Sequence, residues 1–158
     1  MATEEQPLVG IVTGSASDLP VMQKGGATLE RLGIPHEINV MSAHRTPEVV
    51  DEYARSAEDR GLVAIICGAG RAAHLAGAVA ARTVLPVIGV PVGADHLGGA
   101  DALYSTVQMP KGVPVATVGI DGAENAAILA VQILAVRDPE VRVKLHEFKQ
   151  SLAEGFKL

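Results

Sequence analysis

Short apolar runs alternate with amphipathic segments along most of the chain. Between the runs, apolar residues recur near the helical period, as at Val21, Met22, Leu29 and Leu32. The runs themselves are rich in Val and Ile and are bounded by Gly or Pro, which is typical of strands buried on both faces. They cover residues 8–13, 38–41, 62–67 and 84–90. Strands that alternate with helices predict an α/β fold built on a parallel sheet with right-handed crossovers.

Proline marks the predicted helix starts. Asp18, Thr46 and Asp138 each stand one or two positions before a proline, and a capping side chain followed by proline in the first turn is typical of a helix N-terminus. Residues 113–120 are predicted to form a fifth strand. The connection over 93–111 is long for a compact domain, and connections of that length are often functional.

The C-terminal part is the most apolar. Residues 125–136 consist largely of Ala, Ile, Leu and Val with almost no charge, and a more polar helix is predicted over 138–155. A helix that is apolar all round needs cover on nearly every side, more than a compact domain of 158 residues is expected to offer. We therefore expect one domain over 1–158, with C-terminal helices over 123–155 that pack on other subunits.

The composition favours a small-molecule partner. A formal net charge of -5 and an aromatic content of 3% argue against a nucleic-acid surface, which is normally basic. No apolar run approaches the roughly 20 residues that cross a bilayer. Residues 1–6 carry two glutamates and no basic residue, so we expect no signal peptide and a cytoplasmic protein. The single cysteine, Cys67, lies in an apolar run and is predicted to be a buried, unreactive thiol.

Two polar turns, each following a predicted strand, carry the candidate chemistry. In the first, Ser15 and the amides of a helix start suit an anion, and Asp18 can bind a sugar diol. The second adds the hydroxyl, imidazole and guanidinium of Ser42, His44 and Arg45. We expect the first three strands in the order one, two, three, which brings both turns to one crevice. Together they predict a phosphorylated ribose held beside a proton-transfer group, although capping and turn formation alone would explain Asp18 and Ser15.

A glycine-rich turn over 68–77 follows the third strand. It matches the dinucleotide fingerprint G-x-G-x-x-A only formally, because it is not the first strand-helix turn and no acid follows at the end of the next strand. A tight turn with its amides against a flat ligand is favoured. His74, in this turn, is either a packing residue or part of the site. A hydrolase triad is disfavoured, since Ser42 is not in a nucleophile elbow and no third residue is evidently placed to orient His44. The histidine spacing does not suit zinc.

With these residues in view, the sequence closely resembles the PurE family of purine biosynthesis. The resemblance covers about residues 9–136. The motifs that carry it are Gly14-Ser15-x-Ser17-Asp18, Ser42-Ala43-His44-Arg45-Thr46-Pro47, Gly68-Ala69-Gly70-x-Ala72-Ala73-His74-Leu75, Pro91-Val92 and Val107-Gln108-Met109-Pro110.

The resemblance implies a flavodoxin-like, three-layer fold with a central parallel sheet of about five strands, assembled as a homo-octamer with sites where subunits meet. It implies that Ser15, Ser42 and Arg45 hold a 5′-phosphate, that Asp18 binds the ribose hydroxyls and that His44 is the general acid and base. The aminoimidazole and its carboxylate would lie against the turn after the third strand. The remaining substrate-binding residues implied are Ala43, Gly70, Arg71, Ala72, His74 and Leu75.

The implied reaction moves a carboxylate of 5-(carboxyamino)imidazole ribonucleotide from the exocyclic amine to carbon 4, with no metal or organic cofactor. The usual mutase turn reads Gly-Ala-Gly-Gly-Ala-Ala-His-Leu-Pro-Gly, whereas this chain has Arg71 and Ala76 at the fourth and ninth positions. An arginine there resembles the related class that carboxylates aminoimidazole ribonucleotide directly. That class typically has lysine in place of Arg45 and lacks the Ala-Ala-His-Leu continuation. The mutase is favoured; the direct carboxylase and a non-catalytic nucleotide-binding module remain alternatives.

Overall fold

The computed structural model describes residues 6–156 of the chain, and the start on which the signal-peptide expectation rests lies largely outside that range. Its centre is a five-stranded parallel sheet in the order β2-β1-β3-β4-β5. The strands are β1 (Val9–Thr13), β2 (His36–Val40), β3 (Ala64–Gly70), β4 (Val87–Val92) and β5 (Ala116–Thr117). This order, 2-1-3-4-5, is the flavodoxin-like one.

Helices cover both faces of the sheet. They are α1 (Leu19–Arg31), α2 (Pro47–Ser56), α3 (Leu75–Ala80), α4 (Ala100–Val107), α5 (Ala123–Ala135) and α6 (Pro139–Ala153). Successive residues of β3 pack on opposite faces of the sheet. Ile66 packs with α1, α5 and α6, whereas the neighbouring Ile65 and Cys67 pack with α2 and α3. The result is the expected three-layer α/β sandwich. None of the described helices is long and apolar enough to cross a bilayer.

The order of the first three strands differs from the expectation, because β1 lies between β2 and β3. The polar turns still converge. Thr13, the last residue of β1, is paired with Val40 of β2 on one side and with Gly68 of β3 on the other. The three strands therefore end almost level, and the turns that follow them share one edge of the sheet.

The fifth strand is shorter than predicted. It pairs with β4 only through Ala116 and Thr117, with a further bond from Val118 N–H to the Gly89 carbonyl (3.1 Å). Pro114 has no N–H to donate, and β5 lies at the edge of the sheet, where pairing is possible on one side only. Hydrophobic patterning alone predicts neither the missing N–H nor the edge position, and so it overestimates the length of the strand.

The three predicted helix starts are confirmed, because Asp18, Thr46 and Asp138 are the N-cap residues of α1, α2 and α6 and proline lies in each first turn. Asp138 accepts hydrogen bonds from the N–H groups of Glu140 (2.9 Å) and Val141 (3.1 Å) at the start of α6. Within residues 6–156, the side chains of Asp18 and Thr46 make no capping hydrogen bond. Their side chains interact elsewhere: Asp18 accepts from the Ser17 hydroxyl, and Thr46 bonds to the backbone of Ser42. Both therefore serve the turns that the site uses.

Helix α5 is covered mainly by its own chain, contrary to the expectation from its composition. Its neighbours are α1, α6, β3 and β4. Gly25 of α1 allows the closest approach, since a Cβ there would lie 2.9 Å from the Ala123 carbonyl oxygen. The buried residues of α5 are Ala123, Ala126, Ala127, Ile128, Ala130, Val131, Leu134 and Ala135. The need to cover an apolar helix therefore no longer supports the packing of 123–155 on other subunits, which stays a prediction.

A polar network ties β2 to the end of α2. Glu37 accepts a hydrogen bond from the Tyr53 hydroxyl (2.6 Å) and two from the Arg60 guanidinium (3.0 Å each). Burial acts to raise the pKa of Glu37, but the hydrogen bonds from Arg60 and Tyr53 outweigh it, so the pKa lies below its ordinary value. Burial and the bond to Glu37 raise the pKa of Tyr53. The network depends on an ionised Glu37.

Candidate active site

A pocket of about 430 Å³ opens where β1, β2 and β3 end. Every site residue predicted from the sequence lines it, and the other two lining residues are Gly14 and Ala69. The predicted residues present are Ser15, Asp18, Ser42, Ala43, His44, Arg45, Gly70, Arg71, Ala72, His74 and Leu75. Residues from three separate turns thus meet at the carboxyl edge of a parallel sheet, where such folds bind ligands.

The turn after β2 is held by its own hydroxyl groups. Ser42 Oγ accepts hydrogen bonds from the backbone N–H groups of His44 (3.3 Å) and Arg45 (3.2 Å). Thr46 Oγ1 accepts from the Ser42 N–H at 3.0 Å. Because the oxygen of Ser42 is occupied as an acceptor, its hydroxyl proton remains available for a ligand anion.

Arg45 joins the first two turns. Its Nη2 donates to the Gly14 carbonyl at 2.7 Å, and its Nε lies 3.4 Å from Ser42 Oγ. A guanidinium has five N–H donors in a rigid fork, so these bonds fix its orientation while leaving donors for a phosphate.

The turn after β1 presents two hydroxyls and a carboxylate. Ser17 Oγ lies 2.8 Å from Ser15 Oγ and 3.1 Å from Asp18 Oδ1, and the Ser17 N–H donates to Ser15 Oγ at 3.3 Å. Ser17 has one hydroxyl proton, which Asp18 accepts, and Ser15 Oγ accepts from the Ser17 N–H, so Ser15 can turn its own proton toward an anion. Asp18, half-buried in the pocket lining, offers acceptor oxygens suited to vicinal hydroxyls.

Two imidazoles meet in the pocket. Nε2 of His44 lies 2.7 Å from Nδ1 of His74, and the ring planes are nearly perpendicular at 83°. One ring must donate and the other accept, so their tautomers are linked. When His44 donates, its Nδ1 carries a lone pair; when a neutral His44 accepts, its Nδ1 carries the proton. The sequence indicated no residue to orient His44, and His74 supplies that contact.

The turn after β3 is strained at Arg71. This residue has φ 55°, in the left-handed region that favours glycine. Its carbonyl accepts a hydrogen bond from the Ala73 N–H (2.9 Å), and Ser105 Oγ of α4, whose shorter contact is to the Asp101 carbonyl (2.6 Å), lies 3.3 Å from it. These bonds hold the turn in place around a conformation that arginine rarely adopts.

A second pocket of about 550 Å³ continues the first on the side of β4. The two share Ser15, Asp18, Arg45, Gly70 and Arg71. Its outer wall is formed by Val92, Gly93, Ala94 and Asp95, at and beyond the end of β4. The sequence drew attention to this connection only by its length.

A separate cavity of about 500 Å³ lies between α2 and α3 and shares only Ala43 with the first pocket. Arg82, the one cation in its described lining, is paired with Asp51, which also contacts Arg55, and the other charged lining groups are the carboxylates of Glu48 and Glu52. The hydrogen bond from Arg55 lowers the pKa of Asp51 below its ordinary value. This cavity therefore lacks the unengaged donors and the imidazole pair that the first pocket offers.

Cys67 lies in β3 beneath the site. It is 1% exposed, and burial raises the pKa of its thiol. The prediction of a buried thiol is confirmed. Among residues 6–156, no group of three or more His, Cys, Asp or Glu side chains is arranged to hold a metal ion. The expectation that the reaction uses no cofactor stays a prediction.

Comparisons with known proteins agree on one family. The family model described as AIR carboxylase matches residues 8–155. The N5-carboxyaminoimidazole ribonucleotide mutase of Pyrococcus horikoshii is 56% identical over 148 residues, which cover 94% of this chain and 84% of that protein. The phosphoribosylaminoimidazole carboxylase of Candida albicans is 54% identical, over 94% of this chain but only 26% of that protein.

A solved structure supports the same relationship. The crystal structure of Treponema denticola PurE superposes with a TM-score of 0.85 at 35% identity, and the match covers 94% of this chain and 92% of that one. The fold is thus that of a known architecture.

Proposed function

The chain belongs to the AIR carboxylase family, and we propose on that basis that it is a mutase that converts N5-carboxyaminoimidazole ribonucleotide into 4-carboxy-5-aminoimidazole ribonucleotide in purine biosynthesis. The observation that carries the proposal is the meeting of a paired imidazole with hydroxyl, guanidinium and carboxylate groups in one pocket.

The relatives favour the mutase over the direct carboxylase. The Pyrococcus mutase matches this chain over most of its own length, whereas the Candida carboxylase matches through about a quarter of its length. The turn residues agree: Arg45 and the Ala-Ala-His-Leu continuation are mutase features, and Arg71 is the one that resembles the carboxylase class. The carboxylase is therefore the second candidate, supported by Arg71 alone.

We assign the phosphate to Ser15, Ser42 and Arg45, because each has donors left after its contacts within the protein. Asp18 binds the ribose hydroxyls as an acceptor. The aminoimidazole ring lies against the turn after β3, at Gly70, Arg71 and Ala72, with Ala43 and Leu75 completing the apolar part of the lining.

In the first step the bond between the carbamate carbon and the exocyclic nitrogen breaks. The electron pair of that bond stays on nitrogen, which takes one proton from His44, and carbon dioxide leaves. Aminoimidazole ribonucleotide and carbon dioxide then remain in the pocket. A general acid of this kind contributes about a hundred- to ten-thousand-fold to the rate.

In the second step carbon 4 of the ring attacks the carbon dioxide and forms the new carbon-carbon bond. The proton on carbon 4 returns to His44, which restores aromaticity and the starting protonation state. One proton is given and one is taken, so the reaction is an isomerisation. His74 positions the ring of His44 by accepting a hydrogen bond from its Nε2–H, so that Nδ1 of His44 is the atom that gives the proton and takes it back.

The carbon dioxide must not escape between the two steps. The first pocket is open in a single chain, and the family resemblance implies sites where subunits meet. We propose a homo-octamer whose neighbouring subunits close the site, working in the cytoplasm. Sedimentation of the purified protein tests the assembly, and an active monomer contradicts it.

The deciding experiment follows an isotope. The protein is given substrate labelled with ¹³C in the carbamate, in unlabelled bicarbonate with carbonic anhydrase present. A mutase that retains its carbon dioxide produces 4-carboxy product that keeps the label. A direct carboxylase produces unlabelled product and uses aminoimidazole ribonucleotide efficiently at low bicarbonate. A nucleotide-binding module binds the ligand and produces nothing.

A further inference from the structure

A single aspartate fastens the end of β4 to the turn before α5. Apart from Arg71, Asp121 is the one non-glycine residue among 6–156 with a positive φ, at 57°. Its backbone N–H donates to the Pro91 carbonyl at 2.8 Å, and its Oδ1 accepts from the Gly93 N–H, also at 2.8 Å. One residue thus binds β4 through both its main chain and its side chain.

These contacts extend the short β4–β5 ladder. Val118 N–H bonds to the Gly89 carbonyl, and Asp121 N–H then bonds to the Pro91 carbonyl. At the next position no strand residue is available, and the carboxylate of Asp121 takes the place of the missing backbone acceptor for Gly93. The left-handed conformation allows one residue to reach both groups, and aspartate tolerates it better than most side chains.

The loop after β4 is packed tightly around this point. A Cβ at Gly93 would lie 3.1 Å from Asp121 Oδ2. A Cβ at Gly99 would lie 3.2 Å from Gly93 Cα and 2.6 Å from Ile120 Cγ2, so the loop returns to the same place before α4 begins. The position of Gly93 therefore depends on the turn that carries Asp121.

Gly93 begins the wall that the second pocket places beside the first. Gly93, Ala94 and Asp95 line that pocket together with Ser15, Asp18 and Arg45. Asp121 belongs to the described lining of neither pocket. Its influence on a ligand must pass through the main chain of Gly93.

We infer that Asp121 is a positioning residue for the ribose-phosphate end of the site. It holds the wall of Gly93 to Asp95 at the distance from Ser15, Asp18 and Arg45 that the ligand requires. The inference rests on the proposed function for the identity of the ligand. Because ribose and phosphate do not change during the reaction, loss of this positioning weakens binding and leaves the chemical step nearly intact.

Three variants separate the hydrogen bond from backbone strain and from general stability. Asp121→Gly accepts the positive φ but has no side-chain acceptor. Asp121→Asn keeps both an oxygen acceptor and tolerance of the left-handed conformation. Asp138→Ala is the matched control, since Asp138 also accepts backbone N–H groups but does so at the start of α6, away from the pockets.

Steady-state kinetics and melting temperatures are measured for all three. Asp121→Gly should raise KM about tenfold, as loss of one hydrogen bond does, with kcat within about twofold of the unmodified enzyme. Asp121→Asn should restore KM. Asp138→Ala should lower the melting temperature and leave KM unchanged. An unchanged KM in Asp121→Gly, or an equal rise in Asp138→Ala, overturns the inference.

Two measurements that need no turnover test the role of Asp121 independently of the proposed function. Exchange of the Gly93 amide hydrogen, followed by NMR, should be faster in Asp121→Gly and normal in Asp121→Asn. Affinity for ribose 5-phosphate should fall only in the glycine variant. If the unmodified protein does not isomerise the substrate, the proposed function fails while these two measurements still decide the role of Asp121. Equal exchange and equal affinity in all three variants refute it.

Discussion

Nε2 of His44 lies 2.7 Å from Nδ1 of His74, although the two residues are 30 positions apart in the chain. The contact joins the turn after β2 to the turn before α3. It engages one ring nitrogen of His44 and so fixes which nitrogen is left for the ligand, as is needed when the same group must first give a proton and later take one. The pair also limits the rotation of His44 in an otherwise open pocket.

Replacement of His44 by asparagine should remove proton transfer while keeping ligand binding. We expect turnover to fall about a hundred- to ten-thousand-fold with little change in the dissociation constant of the product. Because His74 acts through His44, the variant His74→Asn should lose less, and the double variant should be no slower than His44→Asn alone. Additive losses would show that His74 has an independent chemical role. Normal turnover in His44→Asn would favour the binding module.

Arg45→Ala should weaken saturation more than it slows turnover. Loss of a charge-assisted hydrogen bond to phosphate corresponds to about a ten- to hundredfold rise in KM. Arg55→Ala is the control, because Arg55 pairs with Asp51 on the surface of α2. Its KM should match that of the unmodified enzyme. An unchanged KM with collapsed kcat in Arg45→Ala would assign the guanidinium to the chemical step instead.

Arg71→Gly should preserve the choice of substrate and leave stability close to its original value. Glycine removes the strain of the left-handed conformation, about 1 kcal/mol, but the greater freedom of the unfolded chain offsets a similar amount. Arg71→Ala removes the same guanidinium and keeps both the strain and the restricted unfolded chain, so its stability should match that of Arg71→Gly. Chemical denaturation measures both, and a large difference between the two variants would show that strain and chain freedom do not offset each other. Loss of direct carboxylation of aminoimidazole ribonucleotide in both variants would establish the carboxylase reading.

The network around Glu37 predicts a pH dependence of stability. The pKa of Glu37 is lower in the folded chain than in the unfolded one, so its contribution is present above the unfolded value, about 4.3, and is lost as the pH falls through the folded value. The difference in free energy of unfolding between the unmodified protein and Glu37→Gln should be about 1 kcal/mol at pH 7 and should shrink below pH of about 4. Denaturation at several pH values checks it, and a constant difference would contradict it. Tyr53→Phe, which removes one of the hydrogen bonds, should show a smaller loss.

Hydrophobic patterning predicted the sheet and its helices, motif position predicted the polar residues of the pocket, and the family resemblance implied the rest of its lining. Those features depend on local sequence: buried strands such as 62–67 are almost purely apolar, and polar turns follow them. Which strands and helices lie next to each other was harder to predict from the sequence. Right-handed crossovers are compatible with more than one strand order, so the position of β1 between β2 and β3 was not predicted, and α5 packs on α1 through the small Gly25.

The functional details that the sequence did not reveal depend on three-dimensional contacts. The pairing of His44 with His74 joins separate turns, and the clamp of Asp121 on Gly93 spans 28 positions. A signal for the strain at Arg71 was present, because the resemblance places glycine there, and a positive φ is the physical reason for that glycine. For Asp18 and Thr46 the sequence suggested a contact that does not form. Each side chain is suited to capping a helix but bonds within a neighbouring turn instead.

The burial of Cys67 makes this protein convenient for site-selective labelling. The chain has one cysteine, and its raised pKa and 1% exposure keep it from thiol-reactive dyes while the fold is intact. A cysteine introduced at Val84, which is 83% exposed, would therefore take up a maleimide fluorophore alone, without removal of the native thiol. Distances between such probes in neighbouring subunits of the proposed homo-octamer would then report its assembly during turnover, and the appearance of a second reactive thiol would mark unfolding.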